Sequence, residues 1–166
     1  MTSTAEPDPQ PAFAVAATRH VAAPPEAVWS LVADVTRVGE HSPETVRARW
    51  LTGSPAAVGA TFEGRNRLGF LTWSTVATVT AADPGRRFAF TTSAPSLTTW
   101  TYTFEPAAGG TLVTESMRKE HPQPAPIRWL QRLAGVRDRA AHLEAGMTTT
   151  LERLAATVST PSTLTA

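Results

Sequence analysis

The chain predicts an α+β fold: one curved antiparallel β-sheet of about seven strands wrapped around a long C-terminal α-helix, with an apolar cavity between them. Three observations lead there. Six short segments between residues 45 and 120 alternate apolar and polar residues and are separated by turn residues, as in an antiparallel meander. From Pro126 to Val158 the apolar residues recur instead at three- and four-residue spacing, the period of a helix with one buried face. The whole has 166 residues, 42% of them hydrophobic, which suits a single domain around one core.

Taken in order, "AFAVAATRHVAA" (12–23) is short, apolar and stopped by Pro24-Pro25, and reads as the first strand. "PPEAVWSLVADV" opens a helix with Pro and Glu, and Val28, Leu31 and Val32 give it an apolar face. "TRVGEHSPE" (36–44) contains Gly39 and Pro43 and reads as a loop or a broken short helix, so one or two short helices follow the first strand. The six strands come next: "TVRARWLTG", "ATFEGRNRLG", "FLTWSTVATVTAAD", "RFAFTTS", "TTWTYTFEP" and "TLVTESMRKE". "DPGR" supplies one turn and Gly109-Gly110 another. "HPQPAP" (121–126) then ends the ladder, because proline donates no backbone hydrogen bond.

In the final helix Leu130, Leu133, Ala140, Leu143, Met147, Leu151 and Leu154 form one stripe, which Gly135 marks for a kink or break. A sheet curved around one helix leaves space at the helix ends, hence the cavity. The Pro/Ser/Thr-rich ends, 1–11 and 159–166, read as disordered tails flanking a single domain at 12–158.

Several functions are disfavoured by composition. Fifteen Lys+Arg balance fourteen Asp+Glu, which argues against a general polyanion binder. No cysteine is present, so thiolate chemistry and disulfides are excluded. No His pair has the spacing of a helical zinc motif, and no "GxSxG" frames a serine, so neither a metal site nor a serine hydrolase is expected. The N-terminus lacks the basic and apolar regions of a signal peptide, and no window approaches a membrane span; a cytoplasmic protein is the expectation.

The elements, with "PPEAVWSLVADV", "SPE" (42–44), "VRARWLTG" (46–53), "VGATFEGRNRLGFLTWSTVATVTAADPGRRFAF" (58–90), "TYTFEPAAGGTLVTES" (101–116) and "GMTTTLERL" (146–154), resemble the SRPBCC (START/Bet v1-like) superfamily in its polyketide cyclase/dehydrase-like branch. The resemblance covers nearly all of the chain outside the tails. It implies a helix-grip fold with an apolar ligand cavity and leaves the activity open, since this fold hosts carriers, cyclases and hydrolases alike. One departure is His41 in "HSPE", where the family commonly has tryptophan.

In such a fold the concave face lines the cavity, so strand parity sorts the side chains. Phe62 inward carries Gly64 and Asn66 with it and sends Glu63, Arg65 and Arg67 outward. Trp50 inward likewise sends Arg47 and Arg49 outward. The expected ligand-binding residues are Trp50, Phe62, Asn66, Trp73, Phe90, Trp100, Tyr102, Met117, Leu143 and Met147, with Trp73, Trp100 and Tyr102 foremost as cavity liners. Ordinary core packing is the competing reading for the other rings.

Two residues are candidate catalytic groups. Glu115 shares the parity of Val113 and Met117; in an apolar cavity its pKa would rise and suit acid/base work, unless Arg118 or Arg139 holds it in a structural pair. His41, in a loop near the cavity mouth, is either a proton shuttle or a solvated side chain. Arg128, Arg132, Arg137 and Arg139 read as a solvated helix face, or as an entrance attracting an acidic ligand group.

The leading functional expectation is binding of a hydrophobic small molecule, lipid- or polyketide-like. The alternative is a polyketide cyclase/aromatase or dehydratase working with Glu115, His41 and Asn66 as base or acid, shuttle and carbonyl-orienting donor. Nucleic-acid binding through Arg47, Arg49, Arg65 and Arg67 is the weakest reading. No cofactor is expected, and monomer and homodimer both remain open.

Overall fold

A computed structural model describes residues 13–92, 97–119 and 125–159. The expected tails lie outside these residues, except Ser159, as do residues 121–124 of the connector; its last two, Ala125 and Pro126, already belong to a helix. The strands are β1 (Phe13–Val21), β2 (Thr45–Thr52), β3 (Thr61–Leu68), β4 (Leu71–Asp83), β5 (Arg87–Thr92), β6 (Thr98–Ala107) and β7 (Gly110–Lys119). They form one seven-stranded antiparallel sheet in the order β1-β7-β6-β5-β4-β3-β2. From β2 to β7 each strand therefore pairs with its successor in sequence. The first two strands, by contrast, occupy opposite edges of the sheet.

The segment joining those edges is helical. Helix α1 (Pro25–Ala33) has Pro at its first position and Glu26 in its first turn, and it buries Val28 and Leu31. A 3₁₀ turn (Val35–Arg37) and the short helix α2 (Val38–His41) follow. Helix α2 sits close on β2: a Cβ added at Gly39 would collide with the backbone carbonyl of Val46. Glycine is required there for the close approach of two backbones.

The C-terminal helical region is two helices, α3 (Ala125–Leu133) and α4 (Arg139–Ser159). The break falls at Gly135, whose φ of 90° lies in the left-handed region that glycine enters without steric cost. The apolar stripe is divided accordingly. On α4, Leu143, Met147, Leu151 and Leu154 are buried, whereas Leu130 and Leu133 on α3 are exposed. A continuous buried stripe from Leu130 onward is therefore not what forms.

The main core lies between α1, α4 and the sheet, around Val28, Phe88, Phe104, Val113, Leu151 and Leu154. A smaller cluster of Met117, Leu143 and Met147 packs with Val15 and Trp100. Strand alternation follows expectation along β3, where Phe62, Gly64, Asn66 and Leu68 are buried and Arg65 and Arg67 exposed. It fails at one place on β2. A register shift between Thr45 and Arg47 puts Val46 on the surface, although Ala48 and Trp50 face inward.

Candidate functional site

On the concave side of the sheet lies a cavity of about 1090 Å³, walled by all seven strands, β1 contributing Phe13, and by α1, α2, α3 and α4. That is room for a ligand of drug size or larger. Phe62, Phe88, Phe90, Trp73, Trp100 and Tyr102 contribute to the sheet wall, and Leu143 and Met147 to the helix wall, with Met117 between them. The rings form a connected band. Phe62 meets Phe90 edge-on at 5.1 Å, and Phe90 lies parallel to Trp100 at 6.4 Å. Trp50 is the exception among the expected liners: it stands edge-on behind Phe62 at 5.5 Å, in the core rather than the cavity wall.

The most unusual polar group in this wall is Glu115. Pairing of β6 with β7 sets Tyr102 opposite Glu115, and the tyrosine hydroxyl donates to Glu115 Oε1 at 2.7 Å. Both side chains are buried, and Glu115 Oε2 has no hydrogen-bond partner among the described residues. Burial pushes the Glu115 pKa up to about 7, although the tyrosine hydrogen bond pulls the other way. Tyr102 in turn is held well above the ordinary phenol range by burial and by the adjacent carboxylate. The structural pair with an arginine does not form at Glu115. Arg139 instead clasps Glu44 through two hydrogen bonds of 2.6 and 2.7 Å.

Asn66 is buried at the cavity wall and serves first as a clip across three strands. Its Oδ1 accepts from Thr45 on β2 at 2.8 Å, and its Nδ2 donates to Thr75 on β4 at 2.7 Å. Among the described residues its second amide hydrogen has no partner.

His41 is not a solvated loop residue. It ends α2, is 3% exposed, and lies with Nε2 3.4 Å from the Thr157 hydroxyl on α4. Burial lowers its pKa, against the pull of Glu40, so the ring is neutral near pH 7. Its wall position suits a packed aromatic as well as a shuttle.

The remaining charged wall residues are Asp34 and a group comprising Glu44, Arg67, Lys119, Arg139 and His142. Glu44 belongs to the "SPE" stretch, and besides Arg139 it lies 3.8 Å from His142. Lys119 is partly buried; desolvation lowers its pKa, and the charge of Arg139 lowers it further. Sequence reasoning did not single out Lys119, yet its parity with Glu115 and Met117 was a usable signal. The Glu44–Arg139 pair joins residues far apart in the chain and had no local signal.

The outward arginines share the outer face of β2 and β3, with Glu63 among them. Arg49 is paired with Glu63 at 2.9 Å, and Arg47 and Arg65 are exposed neighbours on β2 and β3. Arg67 is exposed but reaches the cavity rim. No helix among the described residues is long and apolar enough to cross a membrane.

Among solved structures, the chain is similar to the Polyketide_cyc-like protein Cgl2372 from Corynebacterium glutamicum, at 28% identity and a TM-score of 0.52, covering 87% of this chain and 88% of that one. It also shares its fold with major latex-like protein 151 of Panax ginseng, at 12% identity and a TM-score of 0.68, with coverage of 87% and 96%. The di-domain ARO/CYC StfQ of the steffimycin biosynthetic pathway has the same fold at 14% identity and a TM-score of 0.69; the match takes 86% of this chain and 49% of StfQ. No curated protein matches the chain. The family model described as polyketide cyclase / dehydrase and lipid transport matches residues 12–159, and the chain belongs to that family.

Proposed function

We propose that the protein binds a hydrophobic small molecule, lipid- or polyketide-like, with an oxygen of the ligand meeting the Tyr102–Glu115 pair. The observation that carries this reading is a buried carboxylate oxygen, Glu115 Oε2, without a partner among the described residues in an otherwise aromatic and aliphatic wall. A buried polar atom left without a partner costs about 1–3 kcal/mol, which a ligand hydroxyl or carbonyl would offset. A ligand hydroxyl donates to the carboxylate, and the protonated acid donates to a ligand carbonyl. Native mass spectrometry of the purified protein would identify a co-purifying molecule. For that molecule, Tyr102→Phe is expected to weaken binding about tenfold, because Glu115 loses the partner that orients it. Affinity unchanged in this variant would place the ligand elsewhere in the cavity.

A second reading is catalysis, as a cyclase/aromatase or dehydratase, and a specific observation favours it. Glu115 titrates near neutrality on the cavity wall, where a general base or acid is most effective. As base it would take a proton from a carbon acid beside a carbonyl; as acid it would return one to a departing hydroxyl. Asn66, with one amide hydrogen free, would orient the carbonyl. With Glu115 as base, turnover of a polyketide-like substrate should rise with pH through about 7. Glu115→Gln should then lose at least a hundredfold in kcat. Full turnover in that variant would leave binding as the function.

A further inference from the structure

We infer that the ligand is an amphipathic anion, with its acidic group at Lys119, its apolar body over Trp100 and Met117, and a second oxygen at the Tyr102–Glu115 pair. This inference rests on the ligand-binding role proposed above and adds the chemical class of the molecule. Its basis is the register of two adjacent strands. β6 and β7 pair Thr98 with Lys119, Trp100 with Met117, and Tyr102 with Glu115, and all six residues line the cavity. Alternate residues of a strand share a face, so these pairs form one row along the wall. Lys119 is four positions beyond Glu115, which puts their Cα atoms about 13 Å apart along the strand.

The row is graded in chemistry. One end offers a carboxyl and a phenol, the middle an indole and a thioether, and the other end an ammonium. Lys119 lines the cavity, and its ammonium is partly desolvated. Among the described residues no carboxylate forms an ion pair with Lys119. Glu44, the acidic residue of the nearby charged group, is engaged by both guanidinium nitrogens of Arg139 and lies 3.8 Å from His142. Arg139 therefore adds positive potential beside Lys119 rather than relieving it. A partly buried cation costs free energy until it is paired, and a ligand anion entering the cavity supplies the pairing. A lysine head is a point charge with three donors, suited to either a carboxylate or a phosphate.

The test displaces the uncharged dye Nile red from the purified wild-type protein with decanol, decanoate or decyl phosphate. These share a ten-carbon chain and differ in head group. At least one anion is expected to displace the dye at about tenfold lower concentration than decanol, and the favoured anion distinguishes a carboxylate from a phosphate site. Lys119→Met, shown to be folded by circular dichroism, should bring the ratio of anion to alcohol towards one, and Lys119→Arg should keep it. Equal displacement by all three amphiphiles in the wild type would overturn the inference, as would a preference that survives Lys119→Met. Failure of Nile red and of every amphiphile to bind would sink the ligand-binding role itself. That result is distinguishable from binding without a charge preference.

Discussion

Glu115→Gln is expected to raise the stability of the unliganded protein at pH 8 by about 3 kcal/mol, while changing it little at pH 4. The folded state keeps a proton on Glu115 up to about 7, against an ordinary value of 4.5. Each pH unit between those values corresponds to about 1.4 kcal/mol of preference for the neutral form. Because the folded state binds the proton more tightly, the stabilising contribution is fully present below 4.5 and is lost as pH rises to about 7. Glutamine keeps an oxygen to accept from Tyr102 and never ionises, so it escapes the loss. Urea unfolding at several pH values, compared between the two proteins, measures the difference. A constant offset across pH would show that Glu115 ionises in the folded state as readily as in water.

Phe88→Ala should cost about 4 kcal/mol, the range observed when a fully buried ring is removed. Phe88 has no exposed surface. It holds α1 to the sheet through Trp29, edge-on at 6.3 Å, and supports Phe90 at 6.2 Å. Trp29 is itself fixed by donation to the Arg87 carbonyl at 2.9 Å. Since Phe88 also lines the cavity, the space it vacates joins existing empty volume and cannot readily collapse. Denaturant titration gives the loss directly, and a loss below about 1 kcal/mol would mean that α1 settles into the gap.

Most of the architecture was legible because it rests on local periodicity. Two-residue alternation identified the six meander strands, and Phe62 inward correctly sorted Asn66 from Arg65 and Arg67. The exceptions each have a local physical cause. Val46 defeats parity because β2 bulges beside it, and a bulge leaves no mark in apolar spacing. Leu130 and Leu133 fit a helical stripe, but the helix breaks at Gly135 and both leucines lie exposed on α3.

The site was legible in part. Glu115 and Tyr102 were each placed on the inner face by parity. Their hydrogen bond depends on the β6–β7 register, which the two-residue turn Ala108-Gly109 sets, one position before the expected Gly109-Gly110, and which neither strand specifies alone. His41 looked like a loop residue because Gly39 and Pro43 flank it. In the structure Gly39 lets α2 press against β2, and the buried imidazole lies against Thr157 of α4.

The placement of β1 and β2 at opposite sheet edges bears on the order in which the molecule assembles. Strands β2 to β7 can form as successive hairpins, each closing a short loop at modest entropic cost. β1 has no such route, since its partner is β7; the Thr18–Thr114 contact joins residues 96 apart in sequence. Loop-closure entropy therefore defers β1 until the meander exists to receive it. The same docking brings β1 against α4, so one late step completes both the ladder and the packing of the C-terminal helix. During synthesis β1 emerges ahead of the other six strands of this sheet yet is among the last to find its partner, and until then β7 carries an unpaired edge.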